Sequence, residues 1–324
     1  MRAFVTGGSG FIGGRLIERL RADGWDVRAL ARSEASAEKV RAAGAEPVRG
    51  DLDDVAAMAQ GARDCDVFFH AAAALGEWGR REDFERGNVQ GTGNALAAAR
   101  EAGVRRFVHV GTEAALLAGQ PLVNADETEP LRPDSRALYS ATKAQAEQLV
   151  RDANRDGLET VVVRPRLVWG VGDTTILPAV AEGVRTGRFR WIGGGRHLTS
   201  TTHVDNAVEG LMLAAQRGRP GGVYFVTDGD PVVFRDFFTD LLATQGIEAP
   251  TAEAPAGVVR VAAPVLEGVW RLLGRREAPP ITRLVYWLSA LECTLDISRA
   301  KEELGYAPVT TRAQGLAAMR EEAA

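Results

Sequence analysis

Tyr139-Ser140-Ala141-Thr142-Lys143 sets a phenol and an ammonium four residues apart in a run that reads as helix, so both side chains leave on one face. Lysine is scarce: Lys39, Lys143 and Lys301 are the only three, and with 4 tyrosines the Tyr-x3-Lys spacing is expected by chance in about 0.04 copies. A phenol that titrates near 10 is a poor acid-base catalyst at neutral pH, and a neighbouring ammonium favours its ionised form. Tyr139 is therefore expected to carry a proton that Lys143 tunes. Thr112 follows a short apolar run 27 residues earlier, and its hydroxyl is the group expected to polarise a reacting carbonyl. The alternative for Thr112 is a cap on the strand end.

Thr6-Gly7-Gly8-Ser9-Gly10-Phe11-Ile12-Gly13 follows another apolar run directly and opens a helix. Gly7, Gly10 and Gly13 permit a tight turn, close approach of backbone to a pyrophosphate, and close packing of helix on strand, while the helix start offers free N–H groups. In a chain with 36 glycines the bare spacing is weak, and its place between strand and helix is what marks a dinucleotide loop. About 20 positions on, where an acid commonly holds ribose hydroxyls, the chain reads Ala29-Leu30-Ala31-Arg32. An uncharged Ala31 followed by a guanidinium suits a 2′-phosphate, so NADP is expected over NAD; if Arg32 is an ordinary solvated side chain, NAD is the cofactor. Asp51, after a short third strand, either accepts a hydrogen bond from an adenine amino group or caps a helix.

The elements that must position these groups alternate. Strands are expected over 3–6, 27–30, 67–70, 107–110, 160–163 and 223–226, with helices between them, including 11–22, 88–102 and 138–155. This is the rhythm of an α/β doubly wound parallel sheet, with its ligand beyond the carboxyl ends of the strands. After about Pro165 the pattern loosens and tryptophans appear. The reading is a dinucleotide-binding domain over 1–166, to which 202–229 returns, and a smaller C-terminal substrate lobe from 167–201 and 230–324.

With 324 residues, 45% hydrophobic, 25% charged and a net charge of −4, the chain reads as an ordinary globular protein with a small-molecule partner and no electrostatic case for nucleic acid. Cys65 and Cys293 form no disulfide framework, and the four histidines show no metal-ligand spacing. No basic leader or cleavage site precedes the first strand, so a cytoplasmic location is expected, without a membrane span but with peripheral membrane contact open. The stretch 258–273, interrupted by Arg260, Glu267 and Arg271, is expected to be an amphipathic helix.

Together these residues resemble the extended class of the short-chain dehydrogenase/reductase superfamily over nearly the whole chain. The resemblance is carried by TGGSGFIG at 6–13, GDL at 50–52, HAAA at 70–73, NVQGT at 88–92, YSATK at 139–143, RPRLVWG at 164–170 and HVDNAVEG at 203–210. It implies a Rossmann fold, a catalytic set of Thr112, Tyr139 and Lys143, and a nicotinamide ribose held by Lys143. Phe11, Ile12, Arg32, Asp51, Leu52, Ala71, Ala72, Asn88 and Pro165 match cofactor-wall positions, and Asn88 would keep Lys143 and a water in a proton relay. The dehydratase Thr-Asp-Glu is replaced by Thr112-Glu113-Ala114, and the Arg-Asp-Phe that meets a sugar diphosphate is replaced by Thr199-Ser200-Thr201. The chain is more similar to the 3β-hydroxysteroid dehydrogenase-like branch, which includes 2-alkyl-3-oxoalkanoate reductases.

The expected activity is hydride transfer between NADP(H) and an apolar secondary alcohol or ketone. The alternatives are a sugar-nucleotide epimerase with tightly bound NAD and a non-catalytic NADP-sensing regulator. Trp78, Trp169 and Trp191 are expected to converge near the nicotinamide as an apolar pocket, and the apolar face of 258–273 either covers that pocket or packs in the core. Helices 88–102 and 138–155 are expected to form a homodimer interface, as the matching helices often do in the resembled family.

Overall fold

The computed structural model describes residues 1–323. Seven strands form one wholly parallel sheet. In spatial order they are Val223–Val226, Glu159–Pro165, Arg106–Val110, Val67–His70, Arg2–Thr6, Asp26–Ala31 and Glu46–Arg49. Both faces are covered, which is why the central strands read as continuous apolar runs rather than alternating ones.

Alternation nevertheless decides which helix each side chain meets. Phe4, Phe68, Phe107 and Val162 face one layer, which includes Met58 and Ala59 of helix Val55–Ala62 and Ala95 and Ala98 of Gly91–Glu101. Ala3, Val5, Phe69, Val108 and Val163 face the other, with Leu16, Ile17 and Leu20 of Phe11–Ala22 and Val208, Leu211 and Met212 of Val204–Arg217. The strand order reverses between Arg2–Thr6 and Val67–His70, and a doubly wound fold binds its ligand at that crevice.

After Glu159–Pro165 the chain builds a second sheet and returns to the first through Val204–Arg217 and Val223–Val226. The four-stranded second sheet runs Val232–Val233, Leu198–Thr199, Cys293–Leu295, Leu122–Ala125. Its last strand comes from the first half of the chain, so the loop between Thr112 and Tyr139 is anchored in the second layer rather than lying free.

Two expectations change. The helix expected over 88–102 begins with a π-helical turn, Glu85–Gln90, before the regular helix Gly91–Glu101. Such turns accommodate one extra residue and cluster at functional sites, and this one aims Asn88 inward. The amphipathic helix is present as Ala256–Leu272, but its apolar face neither covers a pocket nor packs in the core: Val258, Val261, Val265 and Leu272 are 60–89% exposed. What the helix buries is Ala263 and Glu267. Next to that face Leu266 is partly covered, and Val269 is 40% exposed.

Candidate active site

Gly7 has φ +75°, and a Cβ there would sit 2.6 Å from the Ala72 nitrogen; at Gly13 a Cβ would run into the Gly7 carbonyl oxygen. The sequence therefore needs glycine at both positions to bring the first strand, the first helix and the 71–72 segment together at the crevice. Thr6 fixes that approach. Its carbonyl accepts from the Ala71 N–H at 3.2 Å, and its hydroxyl accepts from the Ala72 N–H at 3.4 Å and bonds His70 Nδ1 at 2.8 Å. Gly10 caps the helix Phe11–Ala22 without a side chain, which leaves the first-turn N–H groups open to an anionic oxygen.

Arg32 is exposed just past the buried Ala31 and forms no ion pair among the described residues. The Asp51 carboxylate accepts only from the Leu52 N–H at 2.6 Å. The helix cap is Asp54 instead, which accepts from the Ala57 N–H at 2.9 Å, so the capping alternative for Asp51 falls. Leu52 lies against Gly91, and Pro165 ends the strand beside Val226. The cradle, the open helix start and the free guanidinium fit a dinucleotide.

Asn88 does not reach Lys143. Its amide brackets Ala74, accepting from that N–H at 2.7 Å and donating to that carbonyl at 3.1 Å, and donates to Thr142 Oγ1 at 3.0 Å. It thereby ties the 71–74 loop to the helix Leu138–Asp152, one residue from Lys143.

That helix continues the i,i+4 ladder: Tyr139, Lys143, Glu147 and Arg151 occupy successive turns. Lys143 is 3% exposed, and its Nζ donates to the Val110 carbonyl at 2.9 Å. Burial pushes its ammonium down to about 8, against the opposing pull of Glu147. The expected lowering of the Tyr139 phenol is reversed. Burial first, and the Glu113 carboxylate second, push it above the ordinary tyrosine range, and the contact with Thr112 opposes that rise. Lys143 takes no part in that shift; its ammonium donates to the Val110 carbonyl at the sheet edge.

Thr112 lies at the carboxyl end of Arg106–Val110. Its hydroxyl donates to Glu113 Oε2 at 2.8 Å and accepts from the Ala114 N–H at 3.1 Å. Glu113 Oε1 in turn accepts from Arg166 at 2.5 Å, and both residues of this ion pair are within 3% of complete burial. Arg166 also donates to Thr199 Oγ1 at 3.1 Å and to the Leu288 carbonyl at 3.4 Å. A second buried pair, Glu147 with Arg164, closes at 2.5 and 2.8 Å below Lys143. Sequence reasoning missed both pairs. The i+4 continuation from Lys143 was a usable signal for Glu147; nothing in the sequence joined residues 113 and 166.

The tryptophans do not converge. Trp169 and Trp191 are fully buried in a separate apolar cluster with Phe234, Phe237 and Phe238, with their N–H groups spent on Asp228 at 2.8 Å and the Pro250 carbonyl at 2.6 Å. Trp78 lies elsewhere, under the Arg271 guanidinium at 4.5 Å. An indole whose N–H finds an internal partner packs as core, and these two do.

Residues 4–255 match the 3-beta hydroxysteroid dehydrogenase/isomerase family. The chain is 51% identical over 321 residues to the 4-hydroxy-2-methyl-3-oxo-4-farnesyl-3,4-dihydroquinoline-1-oxide ketoreductase of Stigmatella aurantiaca, across 99% of this chain and 96% of that protein. It is 36% identical over 338 residues to the 2-alkyl-3-oxoalkanoate reductase of Stenotrophomonas maltophilia, with both covered fully. Among solved structures, gox2253 matches with a TM-score of 0.80 at 29% identity over 99% of this chain and 98% of that one. A double mutant of DesIV, a dTDP-glucose 4,6-dehydratase from Streptomyces venezuelae with NAD and DAU bound, matches with a TM-score of 0.74 at 25% identity over 99% and 96%.

The doubly wound sheet, glycine cradle and Tyr-Lys helix define an extended short-chain dehydrogenase/reductase. Within that class the chain belongs to the 3-beta hydroxysteroid dehydrogenase/isomerase family. It is a nicotinamide-dependent oxidoreductase that interconverts a hydroxyl and a ketone, not a passive sensor.

Proposed function

We propose that this protein is an NADP(H)-dependent reductase of apolar ketones, with Tyr139 as proton donor, Thr112 as the hydroxyl beside the reacting oxygen and Lys143 as the cation that holds the cofactor ribose. The observation that carries the reading is the meeting of Tyr139, Thr112 and the Glu113–Arg166 pair at the carboxyl edge of the sheet. When bound, the nicotinamide supplies the hydride. The chain's own residues supply the rest. Tyr139, kept protonated by burial and by Glu113, delivers its proton to the oxygen as charge develops there. Thr112 holds its proton on Glu113 and turns it toward the substrate only as that oxygen becomes negative, so the bond strengthens in the transition state. Arg166 neutralises the carboxylate that would otherwise repel the developing oxyanion.

Gly7, Gly10, Gly13, Phe11 and Ile12 would hold the pyrophosphate, Arg32 the 2′-phosphate, and Asp51 and Leu52 the adenine. Ala71, Ala72, Asn88 and Pro165 would complete the wall. Arg32, unpaired at the end of its strand, supports NADP over NAD. Support for an apolar substrate comes from the missing diphosphate clamp and from the relatives, whose names carry a farnesyl group and an alkyl chain. Substrate would enter from the lobe of 167–201 and 230–324. We further infer a cytoplasmic homodimer joined through helices Gly91–Glu101 and Leu138–Asp152, which light scattering at micromolar concentration tests.

The deciding experiment follows NADPH oxidation over a panel of ketones of increasing chain length and ring number. Catalytic efficiency is expected to rise with buried hydrocarbon until the site is full, by about 0.8 kcal/mol per methylene. Turnover of a UDP-sugar with long-chain and steroid-like ketones inert would establish the epimerase reading instead.

A further inference from the structure

Helix Ala256–Leu272 packs Ala256, Val259 and Ala263 on the core and carries a second apolar face on its outward side. Val258, Val261, Val265, Val269 and Leu272 recur at spacings of three and four and form one stripe, continued by Leu273, that looks away from the protein. Their exposures are 64, 62, 60, 40 and 89%, and Leu273 is 62% exposed. The inward face carries Ala256, Val259, Ala263 and Glu267. Glu267 is fixed by Arg283, whose guanidinium lies at 2.8 Å and whose backbone N–H donates at 2.6 Å, so the helix is held in this orientation and is not free to roll. Six aliphatic side chains in one outward stripe exceed the scattered singles that a soluble surface normally shows.

The charge around the stripe is mainly positive. Arg260, Arg271, Arg275 and Arg276 are exposed, and the only exposed acid of the same stretch is Glu277. At the carboxyl end the arginines are interleaved with indoles: Arg271 lies 4.5 Å from the Trp78 ring, Arg275 lies 5.4 Å from Trp270, and the Trp78 N–H donates to the Arg275 carbonyl at 3.3 Å. Apolar stripe, arginine fringe and amphipathic rings are the components of a helix that lies in a lipid headgroup plane. The same helix is coupled to the active site. The next helix, Arg283–Ala290, packs against it and gives its Leu288 carbonyl to Arg166. Its cap, Thr282, donates to Glu77 in the loop after Val67–His70 at 2.5 Å.

We propose that the outward face of Ala256–Leu272 docks the protein on an anionic membrane surface, with the valines and leucines at the acyl boundary and the arginines on lipid phosphates. A second copy is the poorer occupant, because pairing two such stripes would press two arginine sets together, whereas lipid phosphates neutralise them. The docking stands on the helix alone; its purpose, delivery of a substrate dissolved in lipid, rests on the apolar-ketone reading above.

The test is cosedimentation of the full chain with phosphatidylcholine vesicles, with and without phosphatidylglycerol. Wild-type protein should partition at least tenfold more strongly onto the anionic vesicles, and added salt should weaken that binding. The double variant V261S/V265S, or L272S alone at the most exposed position, should lose at least tenfold of it while keeping its melting transition and its turnover of a short water-soluble ketone. Arg276→Glu should weaken anionic binding and leave neutral vesicles unaffected. Absent binding, equal binding to both vesicle types, or full binding by the valine and leucine variants overturns the proposal. A fall in solution mass caused by those variants also overturns it, because the face is then an interface between copies. Failure of the ketone panel with vesicle binding intact would overturn only the apolar-substrate reading.

Discussion

Glu113 accepts the Thr112 hydroxyl on one carboxylate oxygen at 2.8 Å and the Arg166 guanidinium on the other at 2.5 Å, with all three residues buried. The carboxylate is therefore both an internal counter-ion and the acceptor that aims Thr112. Removing one member of a buried pair leaves the other charge uncompensated, at a cost of about 3–5 kcal/mol. Glu113→Gln should lower stability by that order in urea denaturation and slow turnover, since Thr112 loses its charged acceptor. Adding Arg166→Met should recover most of the stability without recovering turnover. A Glu113→Gln protein as stable as wild type would show that the pair carries no structural role.

Tyr139→Phe removes one hydroxyl from the end of the ladder and leaves the Lys143 bond to the Val110 carbonyl intact. A positioned proton donor contributes about 100- to 10,000-fold, so turnover should fall into that range while the cofactor dissociation constant changes only a few fold. Turnover within tenfold of wild type would remove Tyr139 from the proposed mechanism.

The layers of this fold were legible because their signal is local. Phe4, Phe68 and Phe107 sit in short apolar runs bounded by glycines and charges, and such runs announce a parallel sheet. The glycine cradle was legible too, since Gly7 and Gly13 answer a backbone need that no other residue meets. Glu113 and Arg166 were not legible, because they are 53 residues apart and meet only where Arg106–Val110 and Glu159–Pro165 lie side by side in the first sheet, a strand order that local patterning does not give. The buried Trp169 and Trp191 failed for a related reason: the sequence shows an indole's size but not whether Asp228 or Pro250 will take its N–H. Helix Ala256–Leu272 was visible as a helix, but periodicity cannot say whether an apolar face points inward, and here the buried Glu267–Arg283 pair sets the orientation.

Arg32 stands exposed and unpaired where a ribose-binding acid is absent. NADPH should bind at least tenfold more tightly than NADH, a difference of about 1.4 kcal/mol. The double variant A31D/R32A should reverse the preference. Equal dissociation constants for the two cofactors in the wild-type protein would refute the assignment.

His70 bridges Thr6 and Thr92 through its two ring nitrogens at 2.8 and 3.0 Å, and burial, aided by the Lys143 charge, pushes it down to about 3. It is neutral in the native state, whereas in the unfolded chain it takes up a proton near 6.5. Between those values the unfolded state binds more protons, so stability falls as pH falls from 6.5 toward 3, by about 1.4 kcal/mol per pH unit for this residue. His70→Asn should flatten that slope in chemical denaturation at pH 4 to 7. An unchanged slope would mean that His70 is already charged in the native protein.

Lys143 makes stability and cofactor affinity move in opposite directions with pH. Burial lowers its ammonium from 10.5 to about 8, so between these values the unfolded chain holds a proton that the native protein has released. Stability therefore rises with pH across that window, because below it folding must bury a charge and above it folding need not. The same loss of charge removes the cation proposed to hold the cofactor ribose next to its phosphates. Cofactor affinity, followed by fluorescence titration, should accordingly weaken as pH rises through about 8, while the midpoint of urea unfolding climbs. Bound cofactor brings negative charge to the site, favours the ammonium, and should move the turning point upward as its concentration increases. Lys143→Met should show neither trend. If affinity stays flat from pH 7 to 10 in the wild-type protein, Lys143 is not the group that senses the cofactor, and its bond to Val110 is purely structural.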